Sequence, residues 1–214
     1  TVTVWGKQYF VRPVASDHTP GVKVEQTFES ISQALQKIGP GDTLNLLPGL
    51  YQERVRLKIS GTKDRPILIR GWGKQGKVVW STLPPKPKEF KQQFALSLEG
   101  QRYIIVEGIT FRNCTAWILL WNSHYCIIKD CVFDGAEIYN CLRVNSRNYN
   151  RIINCDFRKA IERTGFRENL PWIPVPGADY IEIFRDSHHN LVQDCKFGPI
   201  NHVAVSVAPH EEKY

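Results

Sequence analysis

A nine-residue frame occurs four times in this chain, and this repeat restricts the possible folds more than any other feature. The copies cover residues 103–111, 125–133, 149–157 and 189–197, and each copy ends in phenylalanine. The final phenylalanines are separated by 22, 24 and 40 positions. A repeat with a period of about 20 to 50 residues is typical of solenoids, in which each turn of the chain packs on its neighbours.

The residue types within the frame predict strands and corners. The fourth position is always apolar and β-branched, whereas the last three copies have Asp or Asn at the sixth position and cysteine at the seventh. These columns are Val106, Ile128, Ile152 and Val192; then Asp130, Asn154 and Asp194; then Cys131, Cys155 and Cys195. Because the inward and outward alternation breaks at the sixth position, we interpret the frame as strand, corner, strand. We expect the cysteines to form a column of free thiols, since parallel side chains disfavour the disulfide torsion.

Another short apolar strand precedes each frame from the second copy onward, and a further one follows the last copy. These strands lie near residues 117–120, 142–144, 180–183 and 202–205. Three strands in each turn of 22 residues predict an all-β protein, a right-handed single-stranded parallel β-helix with three strands per rung.

The N-terminal part contains one helical pattern. Between residues 28 and 38 the apolar positions Phe28, Ile31, Ala34, Leu35 and Ile38 recur at spacings of three or four, and glycine and proline follow. This spacing predicts an amphipathic helix. We expect it to cap the open first rung, because terminal repeats of a solenoid differ from the others.

The whole chain, residues 1–214, is predicted to be one domain. The 40-residue step between the last two phenylalanines implies an inserted loop over residues 160–177, which suits a wall beside a binding groove. No amphipathic helix and no closing rung follow Val207 in the sequence, and an uncovered parallel stack tends to pair with other strands. We therefore hypothesise that further C-terminal rungs or a partner chain cover this end.

Composition favours an anionic partner. The formal net charge is +7, which suits a uronate or sulfated polysaccharide. Nucleic acid is disfavoured because the basic residues are scattered and no nucleic-acid-binding motif appears. No apolar run is long enough for a membrane span. The chain begins at Thr1, so we expect a mature secreted or periplasmic protein, although a trimmed fragment fits equally well.

Many residues of the N-terminal part match the opening of a known superfamily. They are Tyr9-Phe10-Val11, Ala15-Ser16-Asp17, Pro20-Gly21, Ile31, Ala34-Leu35, Pro40-Gly41-Asp42-Thr43, Pro48-Gly49-Leu50-Tyr51, Gly61-Thr62 and Pro66-Ile67. The sequence thus resembles right-handed β-helix proteins of the pectin lyase-like superfamily. The resemblance implies the fold, whereas it leaves several activities open, because the superfamily contains polysaccharide lyases, β-helical glycosidases and proteins without known activity.

The resemblance also implies that a substrate lies along the outer face of one parallel sheet, formed by the strands that precede each frame. If Ile118, Leu142 and Ile181 point inward, the neighbouring side chains point outward. The predicted substrate-binding residues on this face are Trp117, Trp121, Asn145 and Tyr180, and the inserted loop adds Arg167 and Trp172. Aromatic faces stack on sugar rings, and arginine binds carboxylates.

The same face contains the predicted catalytic residues. Arg143 and Arg185 are placed to neutralise a uronate carboxylate, and His202 has a side chain suited to proton transfer. For each of them an ordinary surface or structural role is the more common alternative. Similarity to a calcium-binding rung of pectate lyases implies calcium as a cofactor, with Glu182 and Asp179 as ligands. Alternatively, Glu182 pairs with Arg143 or Arg185.

These observations predict a carbohydrate-active protein, foremost a polysaccharide lyase that cleaves an anionic, uronate-containing polysaccharide by β-elimination. The Asn-Thr-Asp, Gly-His-Gly and Arg-Ile-Lys set typical of polygalacturonases is missing. The alternatives are a β-helical glycoside hydrolase and a non-catalytic glycan-binding or structural module. A lyase releases unsaturated uronates that absorb ultraviolet light, a hydrolase releases reducing ends without that absorbance, and a binding module does neither.

Overall fold

A computed structural model describes residues 6–13, 27–82, 94–114, 116–136, 142–145, 148–160, 179–200 and 202–208 of the chain. In these ranges it contains twenty β-strands and one short helix. The elements are β1 (Gln8–Val11), β2 (Thr27–Phe28), α1 (Ile31–Ala34), β3 (Thr43–Leu46), β4 (Gly49–Tyr51), β5 (Val55–Arg56), β6 (Ile67–Gly71), β7 (Val78–Trp80), β8 (Phe94–Ser97), β9 (Ile104–Glu107), β10 (Thr110–Cys114), β11 (Ala116–Trp121), β12 (Ile127–Lys129), β13 (Val132–Ala136), β14 (Leu142–Asn145), β15 (Arg151–Ile153), β16 (Asp156–Ala160), β17 (Ile181–Phe184), β18 (Leu191–Gln193), β19 (Lys196–Phe197) and β20 (Val205–Ala208).

The strands form three parallel sheets, and successive turns of the chain add one strand to each. Sheet A has the order β18-β15-β12-β9-β6-β3-β1-β2, sheet B has the order β19-β16-β13-β10-β7-β4, and sheet C has the order β20-β17-β14-β11-β8-β5. Each strand pairs with the strand one turn away, as parallel strands joined by crossover connections must. The predicted parallel β-helix with three strands per rung is therefore confirmed.

The register places the repeated residues in columns. Ile128 pairs with Val106 on one side and with Ile152 on the other, and Val192 continues this column in sheet A. In sheet B the frame phenylalanines align, and Trp80 extends the column. The rings stack with centroid distances of 5.6 Å for Trp80 and Phe111, 5.3 Å for Phe111 and Phe133, 4.7 Å for Phe133 and Phe157, and 5.1 Å for Phe157 and Phe197. This phenylalanine column fills the core.

Two corners of each rung use left-handed backbone. At the sixth frame position, φ is 67° for Gly108, 54° for Asp130, 49° for Asn154 and 54° for Asp194. Aspartate and asparagine tolerate this conformation better than most residues. The Nδ2 group of Asn154 also donates to Oδ1 of Asp130 at 2.7 Å, which links adjacent corners. The first frame position is left-handed too, and there Tyr103, Tyr125, Tyr149 and His189 stack in an outer column.

The cysteines of the seventh frame position are free thiols, as predicted. Cys131 and Cys155 are buried and Cys195 is half-buried. Each Sγ donates to a carbonyl of the preceding rung, with distances of 3.9 Å from Cys131 to Val106 and 3.7 Å from Cys155 to Ile128. Burial also raises the pKa of the Cys126 thiol to about 12, so this group stays protonated at neutral pH.

The predicted helix over residues 28–38 is wrong in extent, because α1 contains four residues and Phe28 belongs to strand β2. Ser30 is the N-cap, and its Oγ accepts from the Gln33 amide. The Glu53 carboxylate accepts from the amides of Ile31 and Ser32. These two contacts satisfy amides that a helix start leaves without intrahelical partners. Ile31 and Ala34 are buried, while the capping role remains a prediction.

At the C-terminal side, the described part of the chain ends with partly uncovered core residues. Phe197 is 37% exposed, whereas Phe111, Phe133 and Phe157 are fully buried in the same column. The loop predicted over residues 160–177 lies outside the described residues after Ala160, and the single-domain boundary and the covered C-terminal end remain predictions. Among the helices that the described ranges contain, none is long and apolar enough to cross a bilayer.

Candidate functional site

The outer face of sheet C brings together most of the predicted site residues. Two columns of outward positions run along the sheet. The first contains Leu119, Arg143, Glu182 and Ser206, and the second contains Trp121, Asn145, Phe184 and Ala208. Since neighbouring strands lie about 4.8 Å apart, residues of one column are within reach of each other although they are distant in sequence.

Arg143 and Glu182 form an ion pair at the centre of this face. Nε of Arg143 lies 2.5 Å from Oε2 of Glu182, with both side chains largely covered. The two atoms face each other without the alignment of a hydrogen bond. Burial raises the pKa of the Glu182 carboxyl. The charge of Arg143 lowers this pKa, and the charge of nearby Asp179 raises it. The carboxylate is thus held at a cost in solvation that its arginine partner offsets only in part.

Asp179 binds two side chains from the next rung. Its Oδ1 lies 2.5 Å from Nδ1 of His202, and its Oδ2 accepts from Oγ of Ser206 at 2.7 Å. A carboxylate only accepts hydrogen bonds, so Nδ1 of His202 carries the proton of this contact, and in the neutral ring the other nitrogen, Nε2, carries the lone pair. The His202 side chain is 41% exposed, whereas that of Asp179 is 10% exposed. The contact with Asp179 therefore fixes the orientation of a partly exposed imidazole ring.

A cluster of two arginines and two aromatic rings extends the face beyond the ion pair. The guanidinium carbon of Arg143 lies 5.2 Å from the centroid of Phe184, and that of Arg185 lies 5.1 Å from the same ring. Arg185 is also 6.0 Å from the Trp121 ring. Stacking on aromatic rings orients a guanidinium without neutralising it. Among the described residues Arg185 forms no ion pair, so its charge is free for an anionic ligand.

The calcium ligands predicted at Asp179 and Glu182 do not form a metal site by themselves. Each carboxylate already has side-chain partners. In the described ranges, no group of three or more His, Cys, Asp or Glu side chains is arranged to hold a metal ion. Calcium usually has six to eight oxygen ligands. Calcium binding stays a prediction.

Three of the predicted substrate-binding residues are not accessible. Trp117 and Tyr180 were expected to face outward, but both are fully buried and pack on each other and on Phe157. They lie at strand starts beside corners, where the regular alternation does not hold. Asn145 occupies an outward column but is 1% exposed. Arg167 and Trp172 lie outside the described residues.

The sequence alone did not identify Phe184 as a residue of this site. It also gave no sign that Asp179 contacts His202 and Ser206. Phe184 shares a column with the predicted Trp121, and alignment of one strand per rung identifies it as an outward residue. Asp179 precedes its strand, and 23 positions separate it from His202. Only the position of the next rung reveals that their side chains meet.

Comparison with solved structures shows the fold. A rhamnogalacturonan lyase superposes with a TM-score of 0.55 at 16% sequence identity, and the match covers 95% of this chain and 56% of that one. The alginate lyase from Paenibacillus sp. str. FPU-7 has a TM-score of 0.50 and 15% identity, covering 77% of this chain and 62% of that one. The chain thus has the right-handed parallel β-helix fold that these structures share, and it spans about three fifths of these two lyases.

Sequence comparison adds little about activity. No protein family model matches the chain. The uncharacterized protein YwoF of Bacillus subtilis (strain 168) is 32% identical over 74 residues, which are 35% of this chain and 16% of YwoF. A match that covers so little of both chains does not identify an activity.

Proposed function

We propose that this protein is a polysaccharide lyase that binds an anionic, uronate-containing polysaccharide on the outer face of sheet C and cleaves it by β-elimination. The observation that carries the proposal is the contact of Asp179 with His202 on the same face as Arg185, which has no acidic partner in the described ranges. A β-elimination needs both a base and a cation that stabilises the uronate as it loses a proton.

In the proposed reaction, His202 is the base. Its Nε2 takes the proton from the sugar carbon next to the carboxylate. The electron pair of that C–H bond becomes a C=C double bond as the neighbouring C–O glycosidic bond breaks. The leaving oxygen takes a proton from water, and the imidazolium then gives its proton to the resulting hydroxide, which regenerates the base. Asp179 stabilises the imidazolium that forms, and the hydroxyl of Ser206 keeps the Asp179 carboxylate oriented.

The arginines are assigned to the carboxylate. Arg185 has no acidic partner among the described residues and is oriented by Trp121 and Phe184, so we assign it the carboxylate of a bound uronate. Two parallel hydrogen bonds from a guanidinium suit a carboxylate. Arg143 is committed to Glu182, and we assign it a positioning role. Half-buried Trp121 provides an apolar surface for a sugar ring.

A glycoside hydrolase is the second candidate, and the state of Glu182 favours it. Inverting and retaining hydrolases need one carboxyl whose pKa is raised so that it can donate a proton, and a second carboxylate nearby. Burial raises the pKa of Glu182, and Asp179 lies close enough to raise it further. We rank this candidate lower because Arg143 shields Glu182 and because the net charge of +7 favours an anionic polymer.

A substrate panel separates the candidates. Pectate, alginate, chondroitin and neutral xylan are incubated with the protein, with and without calcium, while ultraviolet absorbance and reducing ends are measured. A lyase raises the absorbance with a uronate polymer, and His202→Ala abolishes that rise. Reducing ends without absorbance favour the hydrolase. Retention on a glycan column without any cleavage favours a glycan-binding module. Activity that requires calcium supports the predicted cofactor. A lyase for such polymers is proposed to act as a secreted or periplasmic protein.

A further inference from the structure

A second cluster of aromatic and basic side chains lies on the outer face of sheet A, away from the sheet C site. Phe10, Asn45 and Arg70 are neighbours in register on β1, β3 and β6. Trp72 follows β6 and is 37% exposed. We call these four residues the sheet A platform. The residues of the sheet C site lie on other strands, so the β-elimination proposed above does not involve the platform.

Arg70 is held in place by a buried amide. Its Nε donates to Oδ1 of Asn45 at 2.7 Å. Asn45 is 0% exposed, and its Nδ2 donates to Oε1 of Gln8 at 3.0 Å and to the carbonyl of Tyr9 at 3.2 Å. The amide group of Asn45 therefore has a fixed orientation. Its hydrogen bond to Nε in turn fixes the orientation of the Arg70 guanidinium. The guanidinium uses its Nε on this contact, so that its two terminal nitrogens remain to bind a ligand.

The charge of Arg70 has no counterion among the residues that the structure describes. Glu107 is its neighbour in register on β9, but this carboxylate pairs with Lys129, whose Nζ lies 2.7 Å from Glu107 Oε2. An oriented guanidinium without an acidic partner favours an external anion. The next cation along the column, Lys129, is by contrast already neutralised.

Trp72 completes the platform. The guanidinium carbon of Arg70 lies 5.2 Å from the centroid of the Trp72 ring. Phe10 contacts the same ring edge-on, with a centroid distance of 5.5 Å and an interplanar angle of 79°. The Trp72 amide also donates to the carbonyl of Leu46 at 2.8 Å. These contacts restrain the indole, which lowers the entropy that a ligand would otherwise have to offset.

We infer that the sheet A platform binds one uronate residue of an anionic glycan, with the carboxylate on Arg70 and the sugar ring against Trp72. A single free arginine beside one exposed indole matches one carboxylate and one ring. Binding of nucleic acid would draw on many phosphate contacts, and the neutralised Lys129 does not extend the positive charge along the column. The inference shares its ligand class with the proposed function, whereas the site and its role, retention of the polymer without cleavage, are separate.

The test uses the full chain with His202→Ala and Arg185→Ala, which removes the proposed base and carboxylate ligand of sheet C. A galacturonate trimer is titrated by calorimetry, and tryptophan fluorescence is followed in parallel. Adding Arg70→Ala or Trp72→Ala is expected to weaken binding by about tenfold each, and Arg70→Lys by less, because lysine keeps the charge but loses the two parallel hydrogen bonds. Circular dichroism checks that each variant keeps its fold.

Two matched controls accompany the titration. Arg112→Ala removes an arginine of sheet B that is paired with Asp134, and Tyr125→Ala removes another exposed aromatic ring. Both are expected to bind the trimer as the background does. Unchanged affinity after Arg70→Ala and Trp72→Ala would overturn the inference, as would tighter, Arg70-dependent binding of single-stranded DNA. Absence of cleavage by the unmodified chain, together with Arg70-dependent trimer binding, would reject the proposed function and retain the platform.

Discussion

His202 can act as a base only while its ring has one orientation and one tautomer, and Asp179 provides both restraints. The carboxylate holds Nδ1 at 2.5 Å, so Nε2 is the ring nitrogen that remains for a substrate. The proposed chemistry therefore depends on a residue that need not touch the substrate. In this respect Asp179 resembles the carboxylates that orient histidine in other catalytic and metal sites.

Asp179→Asn tests that dependence. Asparagine preserves the shape but removes the negative charge, and its amide can force the opposite tautomer on His202. We expect kcat for elimination to fall by about a hundredfold or more, with little change in KM. The matched control is Ser206→Ala, which removes one of the two contacts to Asp179. This variant should lower kcat only a few-fold. Equal activity of Asp179→Asn and the unmodified protein would reject the orienting role.

Glu182 gives a prediction about pH and stability. Its pKa is raised above the usual 4.5, first because burial disfavours the charged form, and Arg143 opposes the change only in part. The folded state therefore binds the proton more tightly than the unfolded state. The stability that this proton contributes is fully present below pH 4.5 and is lost as pH rises through the raised pKa.

Glu182→Gln removes this titration. Urea unfolding at several pH values from acidic to neutral should show that the free energy of unfolding of the unmodified protein falls with rising pH relative to Glu182→Gln. The control is Glu107→Gln, since Glu107 is a more exposed carboxylate that is also paired with a cation. If the difference between the Glu182→Gln variant and the unmodified protein does not change with pH, the burial of this carboxyl is not the dominant effect.

At the scale of elements, the repeated frame predicted the fold because both its period and its alternation are physical consequences of stacking. A residue such as Ile128 meets its equivalents in the rungs above and below, so an apolar type recurs at its position. Corner residues such as Asn154 recur because left-handed backbone accepts few residue types. The short helix does not belong to the repeat, so its bounds could not be predicted in this way. Its start is fixed by the Ser30 cap and by Glu53 from the following turn.

The site was predictable only where the alternation is regular. Arg143 and Glu182 lie in the middle of their strands, and both occupy the outward column that parity predicts. Trp117 and Tyr180 lie next to corners, where the chain changes direction, and their large rings enter the core. The pairing of Asp179 with His202 depends on the three-dimensional position of the next rung, which a single sequence does not specify.

The phenylalanine column permits a matched test of the core. Phe133 is fully buried between Phe111 and Phe157, whereas Phe197 belongs to the same column but is 37% exposed. Phe133→Ala should therefore lower the free energy of unfolding by about 3 to 5 kcal/mol, and Phe197→Ala by about half of that or less. Urea unfolding of both variants measures the difference. Equal costs would contradict the assignment of Phe133 to the centre of the stack.

At the scale of the whole molecule, charge and shape act together on a polymer. The formal net charge is +7, and sheets A and C each present an arginine without an acidic partner among the described residues, namely Arg70 and Arg185. A flexible polyanion contacts several such charges at once, and its local concentration near the surface rises through long-range attraction. Salt screens exposed charges beyond a Debye length of about 10 Å at 0.1 M.

Binding of a polyuronate should therefore weaken steadily as salt is raised, mainly through slower association, because the long-range attraction is screened first. The measurement is the association rate of pectate or alginate on immobilised protein over a series of sodium chloride concentrations. Neutral xylan is the control polymer and should show little salt dependence. Arg70→Ala and Arg185→Ala should each reduce the slope for the polyuronate, and Arg112→Ala should not, since Asp134 already neutralises Arg112. If the association rate does not change with salt, long-range attraction to these arginines does not govern the binding of the polymer. The proposal of an anionic substrate would then lose its electrostatic support.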